Sequence, residues 1–387
     1  MTKVMLSAGE SSGEMHGAAL VEAARRKGLD WDFFGLGGDR MAAAGVRLLG
    51  HIRDTCVMGL TEVLGALPRL LAVRSRLKRA LEVERPDILV LIDAPDFNLP
   101  LARCAAALGL PVVYFICPSV WAWREGRLKT LARYTRRRLL LFPFEKKFYE
   151  ERQVSADWVG HPIFDELFDL GTPAEIKITL GLDPGKKLVA ILPGSRQKIF
   201  ARLAPIFFKT ADLLLERDLG LGLVLPLADS LQFDFVAPFL AGAPARVRER
   251  LVVKPGLSRP ALAAAEAALL ASGTSSVEAV FLGTPPVVAY KGSILSWFIA
   301  RHLVRLPYVT IANLVAGREI VPEFLQGEVT PDNLARALWP LIEGGPVRER
   351  MAADLAEVRS GLGGGGGSNR VVDIIAEELA GRRETVR

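Results

Sequence analysis

Several features that define other protein classes are scarce in this chain. Its 387 residues include only three cysteines and four histidines. Cys56, Cys104 and Cys117 are widely spaced and form no CxxC pair, so neither a disulfide framework nor a structural zinc site is indicated. Cysteines used in this way are typical of a reducing compartment.

Long apolar runs are also lacking. No uninterrupted run reaches the roughly 18 residues that a membrane-spanning helix requires. The chain enters a predicted strand at Lys3 with no basic region and apolar segment before it, so no signal peptide is visible. We therefore expect a cytoplasmic protein that touches a membrane only from its surface.

Aromatic residues make up 7% of the chain, and no basic stretch interleaved with aromatics is present, which argues against a nucleic-acid partner. Lys and Arg number 49 against 43 Asp and Glu, a net charge of +6. This surplus suits phosphates, nucleotides or an anionic membrane, or simply a solvated surface. The length and the 50% hydrophobic content indicate two globular domains.

The most informative stretch of the chain is one predicted buried strand. Ile88–Ile92 is an unbroken apolar run that ends at Asp93, and Pro95 then turns the chain out of the sheet. Ligands of parallel α/β sheets bind beyond the carboxyl ends of the strands, which is where Asp93 and Asp96 would lie. Capping of the next helix is the other common duty of an aspartate there. We assign the cap to Asp96 and the reaction to Asp93.

Strands and helices alternate through the first part of the chain, which predicts a doubly wound parallel sheet. A strand from Lys3 to Ala8, a turn from Gly9 to Gly13 and a helix from Glu14 to Arg26 begin the series. Such a turn is either an anion site or an ordinary connection. Neither a Walker loop nor a G-x-G-x-x-G pattern is present to decide between them.

Two apolar segments with basic neighbours suit either the core or a lipid. Apolar residues recur at helical spacing from Leu60 to Leu71, although Pro68 is expected to kink this helix or to start a second one. Leu295–Leu306 is similar in composition, and a basic amphipathic helix fits a bilayer surface as well as a core. Trp121 and Trp123 form either a packed corner or a wall for a sugar or acyl chain.

The second half repeats the α/β pattern after a linker rich in Gly and Pro between His161 and Gly185. Its first predicted strand is Lys187–Leu192. The loop after this strand contains Gly194, Ser195 and Arg196. Glycine lets the backbone approach a ligand, the hydroxyl can donate a hydrogen bond, and the guanidinium fork matches a diphosphate.

A second candidate phosphate site follows the strand Ala267–Ala271. Gly273, Thr274 and Ser275 place backbone and hydroxyl donors at the start of a helix. Glu278 is expected in the first turn, where it either accepts from sugar hydroxyls or only balances the helix dipole. Polar residues in an apolar setting follow at Asn313, Gly317, Arg318 and Glu319.

Eight motifs, in this order and over essentially the whole chain, resemble those of the lipid-A-disaccharide synthases, which are bacterial glycosyltransferases with two Rossmann-like domains (GT-B). The motifs are Ser7-Ala-Gly-Glu-Ser-Ser-Gly13, Val57-Met-Gly-Leu-Thr-Glu-Val-Leu64, Ile92-Asp-Ala-Pro-Asp-Phe-Asn98, Pro118-Ser-Val-Trp-Ala-Trp-Arg124, Pro143-Phe-Glu-Lys146, Leu192-Pro-Gly-Ser-Arg196, Ala271-Ser-Gly-Thr274 and Asn313-Leu-Val-Ala-Gly-Arg-Glu319.

The resemblance implies transfer of 2,3-diacylglucosamine from UDP-2,3-diacylglucosamine to 2,3-diacylglucosamine 1-phosphate. The products are a β-1,6-linked disaccharide 1-phosphate and UDP, with inversion at the anomeric carbon and without a metal or another cofactor. Asp93 matches the proposed base and Arg196 the proposed diphosphate contact. The other residues expected on the UDP-sugar side are Gly194, Ser195, Ser272, Gly273, Thr274, Ser275, Glu278, Asn313, Gly317, Arg318 and Glu319. Those expected on the acceptor and lipid side are Glu10, Ser11, Ser12, Met58, Val63, Leu64, Leu67, Asn98, Trp121 and Trp123.

The expected domains are residues 1–165, for the acceptor and lipid, and 166–367, for the UDP-sugar donor, facing each other across a cleft. The resemblance adds a C-terminal helix, 368–387, that completes the first domain. It also suggests a homodimer attached peripherally to the cytoplasmic face of the inner membrane.

Two positions depart from the family pattern. Ile199 lies in a stretch, Gln197-Lys-Ile-Phe200, where an acidic residue is usual, and Glu14 replaces the Asp that commonly ends the first glycine loop. Two rival functions stay open at this point. A UDP-sugar 2-epimerase shares the architecture but needs no lipid-facing helices, and a nucleotide-binding module at a membrane surface would not depend on Asp93.

Overall fold

The structure is a computed structural model that describes residues 1–55, 60–122, 124–166, 170–228, 230–293 and 307–385. Met58, Trp123 and the apolar segment 295–306 lie outside the described residues. The side chains of Ser11, Val63, Leu64 and Leu67 are outside the description as well. The predictions made for these residues therefore stay predictions.

The chain divides into two compact units, one formed by Met1–Asp165 with Leu362–Arg387 and the other by Glu166–Gly361. The described strands of the first unit are β1 (Thr2–Ala8), β2 (Trp31–Gly37), β3 (Arg47–His51), β4 (Ile88–Ile92), β5 (Val112–Phe115), β6 (Arg137–Leu140) and β7 (Asp157–Trp158). Its helices, before the chain enters the second unit, are α1 (Ser11–Arg26), α2 (Asp39–Ala43), α3 (Leu60–Glu84), α4 (Pro95–Ala107), α5 (Arg127–Tyr134) and α6 (Pro143–Glu150).

In the second unit the described strands are β8 (Leu188–Leu192), β9 (Gly222–Leu227), β10 (Leu251–Pro255), β11 (Ala267–Ala271), β12 (Pro286–Tyr290) and β13 (Glu323–Leu325). The helices are α7 (Pro173–Thr179), α8 (Gln197–Arg217), α9 (Phe233–Ala241), α10 (Ala245–Arg250), α11 (Ser258–Ala264), α12 (Thr274–Leu282), α13 (Ile311–Ala316), α14 (Pro331–Glu343) and α15 (Pro346–Gly361). The C-terminal helix α16 (Gly367–Thr385) follows and belongs to the first unit.

Both sheets are parallel and have the same winding. The strand orders are β3-β2-β1-β4-β5-β6-β7 in the first unit and β10-β9-β8-β11-β12-β13 in the second. The order reverses between β1 and β4 in one sheet and between β8 and β11 in the other, which is the arrangement of a doubly wound Rossmann-like sheet. The predicted fold class, two α/β domains with parallel sheets, is confirmed.

Each unit is stabilised by burial of its apolar strands, because helices cover both faces of the sheet. All residues of β4 are buried, because β1 and β5 flank it and helices cover both faces. Tyr114 on β5 and Leu77 on α3 belong to the core on one face. On the other face α16 packs against α1, and Arg370 on α16 donates from Nε to the Val159 carbonyl at 2.6 Å.

Three local expectations differ from the structure. The helix α1 begins at Ser11, so the predicted turn is reduced to Gly9 and Glu10. The helix α4 has Ala94, not Asp96, at its N-cap. Pro68 lies within the continuous helix α3 instead of starting a second helix.

Candidate functional site

Each sheet has a switch point, which is the place where its strand order reverses, and Asp93 and the two candidate phosphate loops lie at these points. In the first unit, Gly9 follows β1 and Asp93 follows the neighbouring strand β4. In the second unit, Gly194 lies two residues after β8, and Ser272 directly follows the neighbouring strand β11. Loops that leave adjacent strands at such a point diverge and open a crevice, which is why ligands of doubly wound sheets bind there.

Asp93 has an unusual backbone conformation. Its φ angle is 50° and that of Ala94 is 44°, so two consecutive non-glycine residues are left-handed at the end of a buried strand. Such a conformation is sterically costly and persists only where the surroundings impose it. The side chain of Asp93 is half-buried, which leaves part of it open to solvent.

Asn98 lies beneath Asp93 and is fully buried. Its Oδ1 accepts from the Ser7 hydroxyl at 2.7 Å, and its Nδ2 lies within 2.8 Å of the Asp93 carbonyl and 3.1 Å of the Ser7 carbonyl. It thereby connects the ends of β1 and β4. The assignment of Asn98 to the acceptor side stays a prediction. The structure shows that its amide bonds to Ser7 and to the main chain of Asp93.

The glycine turn after β1 lies against the Asp93 turn. A Cβ atom on Gly9 would be 2.5 Å from the Cβ of Ala94, so only glycine fits between the two turns. Glu10 is exposed at the N-cap of α1, and Ser12 is half-buried in its first turn. Both remain accessible to a ligand at this edge of the sheet.

Glu14, which departs from the family pattern, has a structural role. Its side chain is buried, and its Oε1 accepts from the Arg40 backbone N–H at 2.7 Å. A Cβ on Gly38 would overlap this carboxylate. The acidic group therefore holds the start of α2.

Trp121 forms a packed corner in the loop after β5. Its indole N–H donates to Glu145 at 2.9 Å, and its ring meets Phe144 edge-on with centroids 5.0 Å apart. Glu145 is 4% exposed and also accepts from the backbone N–H groups of Leu141 and Phe142. Burial raises the pKa of Glu145 to about 7, against the opposite effect of these donors.

Asp96 is exposed and forms ion pairs with Arg124, at 3.2 Å, and with Arg127. The two arginines lie in and just after the loop that carries Trp121. Asp96 therefore links the start of α4 to this loop, and it neither caps the helix nor lies at the switch point as closely as Asp93 does.

In the second unit, the loop after β8 exposes the side chains of Ser195 and Arg196 at the start of the long helix α8. Gly194 has a φ of 110°, and a Cβ there would come within 2.9 Å of the Ile199 side chain. The Ser195 carbonyl accepts from the Ser230 hydroxyl at 2.7 Å, which holds the loop. Ile199, the other departure from the family pattern, thus packs under the glycine.

The loop after β11 leads into a second helix start. Gly273 is the N-cap of α12, and a Cβ on it would meet nothing within 4 Å, so the space in front of it is open. Thr274 is exposed and Ser272 and Ser275 are half-buried. The first N–H groups of a helix have no partner within the helix, and those of α8 and α12 begin at adjacent strands of the same edge. This arrangement favours an anion.

Glu278 is not in the first turn of α12, as expected, but one residue beyond it. Its side chain is buried, and its Oε1 accepts from Arg259 Nε at 3.1 Å. Compensation of the helix dipole therefore does not explain this residue. Arg259, which the sequence did not single out, is the charged partner that makes a buried carboxylate tolerable here.

A family model described as lipid-A-disaccharide synthetase matches residues 4–362. The chain belongs to this family. A lipid-A-disaccharide synthase of Koribacter versatilis is 42% identical over 366 residues, 94% of each chain. The enzyme of the same name from Myxococcus xanthus is 39% identical over 380 residues, 97% of each chain. The resemblance inferred from the motifs is confirmed.

Solved structures similar to this synthase family member share its fold at low sequence identity. They include MnaA of S. aureus with UDP (TM-score 0.68, 16% identity, 98% of this chain and 97% of that one). The UDP-GlcNAc 2-epimerase of Neisseria meningitidis, bound to UDP-GlcNAc, has a TM-score of 0.67 at 13% identity over 97% of this chain and all of that one. The calicheamicin glycosyltransferase CalG4 has a TM-score of 0.61 at 16% identity over 98% of both.

The motif that ends the synthase family pattern lies in a loop held from within. Asn313 is fully buried; its Oδ1 accepts from Ile320 and Val321, and its Nδ2 donates to Glu323 at 2.8 Å. Arg318 forms a two-pronged ion pair with Asp354 at 2.8 and 3.1 Å, which raises the pKa of Arg318 and lowers that of Asp354. The residues of this motif that are exposed without such a pair are Gly317 and Glu319.

Four residues that bond to the candidate residues were not singled out from the sequence: Tyr114, Glu145, Arg259 and Glu323. Tyr114 lies inside an apolar strand, where its hydroxyl gives no signal, yet it donates to the Asp93 carbonyl at 2.7 Å. Glu145 lies in the quoted Pro143-Phe-Glu-Lys146 motif, which was the available signal. Each of the four is brought to its partner by the folding of the chain, so the sequence alone does not show the pairing.

Three further features of the described residues concern groups that could hold a metal ion, membrane-spanning helices and clefts. Within those residues, no group of three His, Cys, Asp or Glu is placed to hold a metal ion. None of the helices described has the length and apolarity to cross a bilayer. A cleft of about 180 Å³ near Lys177 and Arg250 lies by the amino ends of β8 and β9, at the opposite edge of the sheet from Gly194 and Gly273.

Proposed function

We propose that this glycosyltransferase joins two lipid substrates, as its family membership indicates. The donor is UDP-2,3-diacylglucosamine and the acceptor 2,3-diacylglucosamine 1-phosphate. The products are the β-1,6-linked disaccharide 1-phosphate and UDP, with inversion and without a metal or another cofactor. The observation that carries this proposal is the pair of loop sets at the two switch points, one bearing a carboxylate and the other an anion site.

Asp93 is the base in this proposal. Its half-buried carboxylate takes the proton of the acceptor 6-hydroxyl while the oxygen attacks the anomeric carbon and UDP leaves. A base of this kind needs to lie within hydrogen-bond distance of the hydroxyl, and its position at the end of β4 suits a sugar bound in the crevice beside Gly9. Glu10 and Ser12 are accessible polar groups of that crevice.

The UDP of the donor binds to the second unit. The starts of α8 and α12 supply backbone N–H groups for the diphosphate, and Arg196 supplies a guanidinium. The hydroxyls of Ser195, Thr274 and Ser275 add donors. Negative charge grows on the diphosphate as the glycosidic bond breaks, so these groups stabilise the transition state more than the bound donor.

The lipid substrates require contact with a membrane, for which α3 is suited. Leu71 and Val83 are 45% and 71% exposed, and Arg69 and Arg79 on the same helix are exposed as well. We place this helix on the anionic, cytoplasmic face of the inner membrane, and the protein in a homodimer. The membrane placement would be refuted if the protein co-sedimented only weakly with anionic vesicles and Leu71→Ser left this binding unchanged. The homodimer would be refuted by a monomer mass in light scattering.

The proposal is tested by measuring transfer in detergent with EDTA for wild type, Asp93→Asn and Asp96→Asn. We expect wild-type turnover in EDTA, a loss of about 100- to 10,000-fold in kcat for Asp93→Asn with UDP affinity retained, and near-normal turnover for Asp96→Asn. If Asp93→Asn keeps its rate, Asp93 is structural. If the wild type binds UDP but transfers nothing, the epimerase reaction replaces the synthase proposal.

A further inference from the structure

The main chain of the strained turn at Asp93 is hydrogen-bonded to buried groups of the protein. Three hydrogen bonds converge on the main chain of this one residue. Its N–H donates to the Phe115 carbonyl at 3.1 Å. Its carbonyl oxygen accepts from the Tyr114 hydroxyl at 2.7 Å and from Asn98 Nδ2 at 2.8 Å.

Both side-chain donors are themselves fixed. Tyr114 and Asn98 are fully buried, one on β5 and one in α4. Burial raises the pKa of Tyr114 well above its ordinary value, so the hydroxyl stays protonated and keeps donating at any pH used for an assay. Asn98 is held in place by its bonds to Ser7, 91 positions earlier in the chain.

We propose that Tyr114 and Asn98 are positioning residues that hold Asp93 in its left-handed conformation and so set the direction of its carboxylate. A non-glycine residue relaxes from this conformation by rotating its peptide groups, which would turn the carbonyl oxygen away from both donors. The same rotation would swing the Cα–Cβ bond and the carboxylate with it. This inference rests on the proposed role of Asp93 as the base.

The expected consequence is a loss of turnover without a loss of substrate binding. Proton transfer is sensitive to small misplacements of the base, whereas the donor is bound by the second unit. A residue that acts only in the transition state lowers kcat and leaves KM unchanged. Ordinary destabilisation of the fold would instead lower the melting temperature and leave kcat of the folded enzyme intact.

The structure offers a matched control in Tyr149. Tyr149 is also fully buried in the first unit, but its hydroxyl lies beside the Cys117 thiol and makes no hydrogen bond to Asp93. Tyr114→Phe and Tyr149→Phe therefore remove the same atom from similar surroundings. Only the first of these changes removes a bond to Asp93.

Kinetics of the full chain with both lipid substrates, together with the melting temperature, test the inference. We expect Tyr114→Phe to lower kcat about tenfold, with both KM values within about twofold of wild type, and Tyr149→Phe to keep its kcat. Equal kcat values for the two variants would overturn the inference. The parallel Asp93→Asn measurement separates the two claims. If Asp93→Asn is inactive while Tyr114→Phe is normal, only the positioning role fails; if Asp93→Asn is active, the proposed base fails.

A rescue experiment excludes a purely structural effect. Glycine adopts positive φ readily, so Ala94→Gly reduces the strain that Tyr114 and Asn98 oppose. We expect the double variant Tyr114→Phe/Ala94→Gly to recover about threefold in kcat over Tyr114→Phe alone. No recovery, in a double variant that melts as wild type does, would contradict the role assigned to the hydrogen bond.

Discussion

The two switch points of this synthase family member differ in the backbone conformation of their loops and in the residues that adopt it. In the first unit the turn after β4 is left-handed at Asp93 and Ala94, which are not glycines. In the second unit the equivalent loops use Gly194 and Gly273. The proposed base, Asp93, must be oriented toward its substrate, and a strained turn held by buried hydrogen bonds suits that role. A diphosphate is bound mainly by backbone groups, so side chains are best absent.

Each unit also has a buried carboxylate near its candidate residues, and the two carboxylates differ in the kind of partner they have. Glu145 in the first unit is surrounded by N–H donors from Trp121, Leu141 and Phe142. Glu278 in the second unit instead has a guanidinium partner, Arg259, at 3.1 Å. Burial raises the pKa of Glu145 to about 7, so this carboxylate should respond to pH near neutrality.

The largest expected effect after that of Asp93 concerns the anion site. Arg196→Ala should weaken UDP binding by about 10- to 100-fold, because a charge-assisted pair of hydrogen bonds is lost, and Arg196→Lys should restore only part of it. Isothermal titration with UDP measures both. Arg202→Ala, which removes an exposed positive charge farther along α8, is the control. Equal losses for Arg196 and Arg202 would mean that general charge, not this loop, attracts UDP.

A smaller loss of turnover is expected when a side chain is added at Gly9, which lies against the strained turn at Asp93 and Ala94. Gly9→Ala adds a Cβ that would lie 2.5 Å from that of Ala94, so the Asp93 turn must shift. We expect kcat to fall about tenfold while UDP affinity is unchanged. The second change Ala94→Gly removes the opposing atom and should return most of the activity. A loss that persists in the double variant would place the damage elsewhere in the first loop.

The smallest effect on turnover is expected at Glu145, where the change is in stability. Its pKa is raised to about 7 in the folded chain, so the folded state holds the proton more tightly than the unfolded one. Stability from this group is therefore present at pH below its unfolded value and is lost as the pH rises through about 7. Between pH 5 and 8 the wild type should lose about 2 kcal/mol relative to Glu145→Gln.

Melting curves of wild type and Glu145→Gln at several pH values from about 5 to 8 measure this difference. A constant gap between the two curves would show that Glu145 does not titrate in this range.

The central strands could be predicted because burial on both faces forces an unbroken apolar run, as in Ile88–Ile92. The strands β3, β10 and β13 were not predicted. Each lies at an edge of its sheet and is only partly buried. An edge strand has a neighbour on one side only, so its composition is less constrained and its pattern weaker.

Polar residues in motifs could be located but not interpreted. Asn98 and Asn313 were expected to meet substrate, yet both are fully buried and bonded within the protein. Their partners include Ser7, far away in the sequence, and the backbone of Val321. A spacing pattern shows that an amide is present but not which donors and acceptors the fold brings to it.

The sequence by itself determined the family, the two parallel sheets and the strand ends at which Asp93 and Arg196 lie. The family was inferred from the resemblance of eight motifs, whereas the sheets and the strand ends follow from local composition, because a strand buried on both faces is an unbroken apolar run. Only the tertiary structure decided that Asp93 is left-handed, that Tyr114 and Asn98 hold it there, and that Arg259 neutralises Glu278. These contacts join residues from different strands and helices, and the distances between them are set by packing.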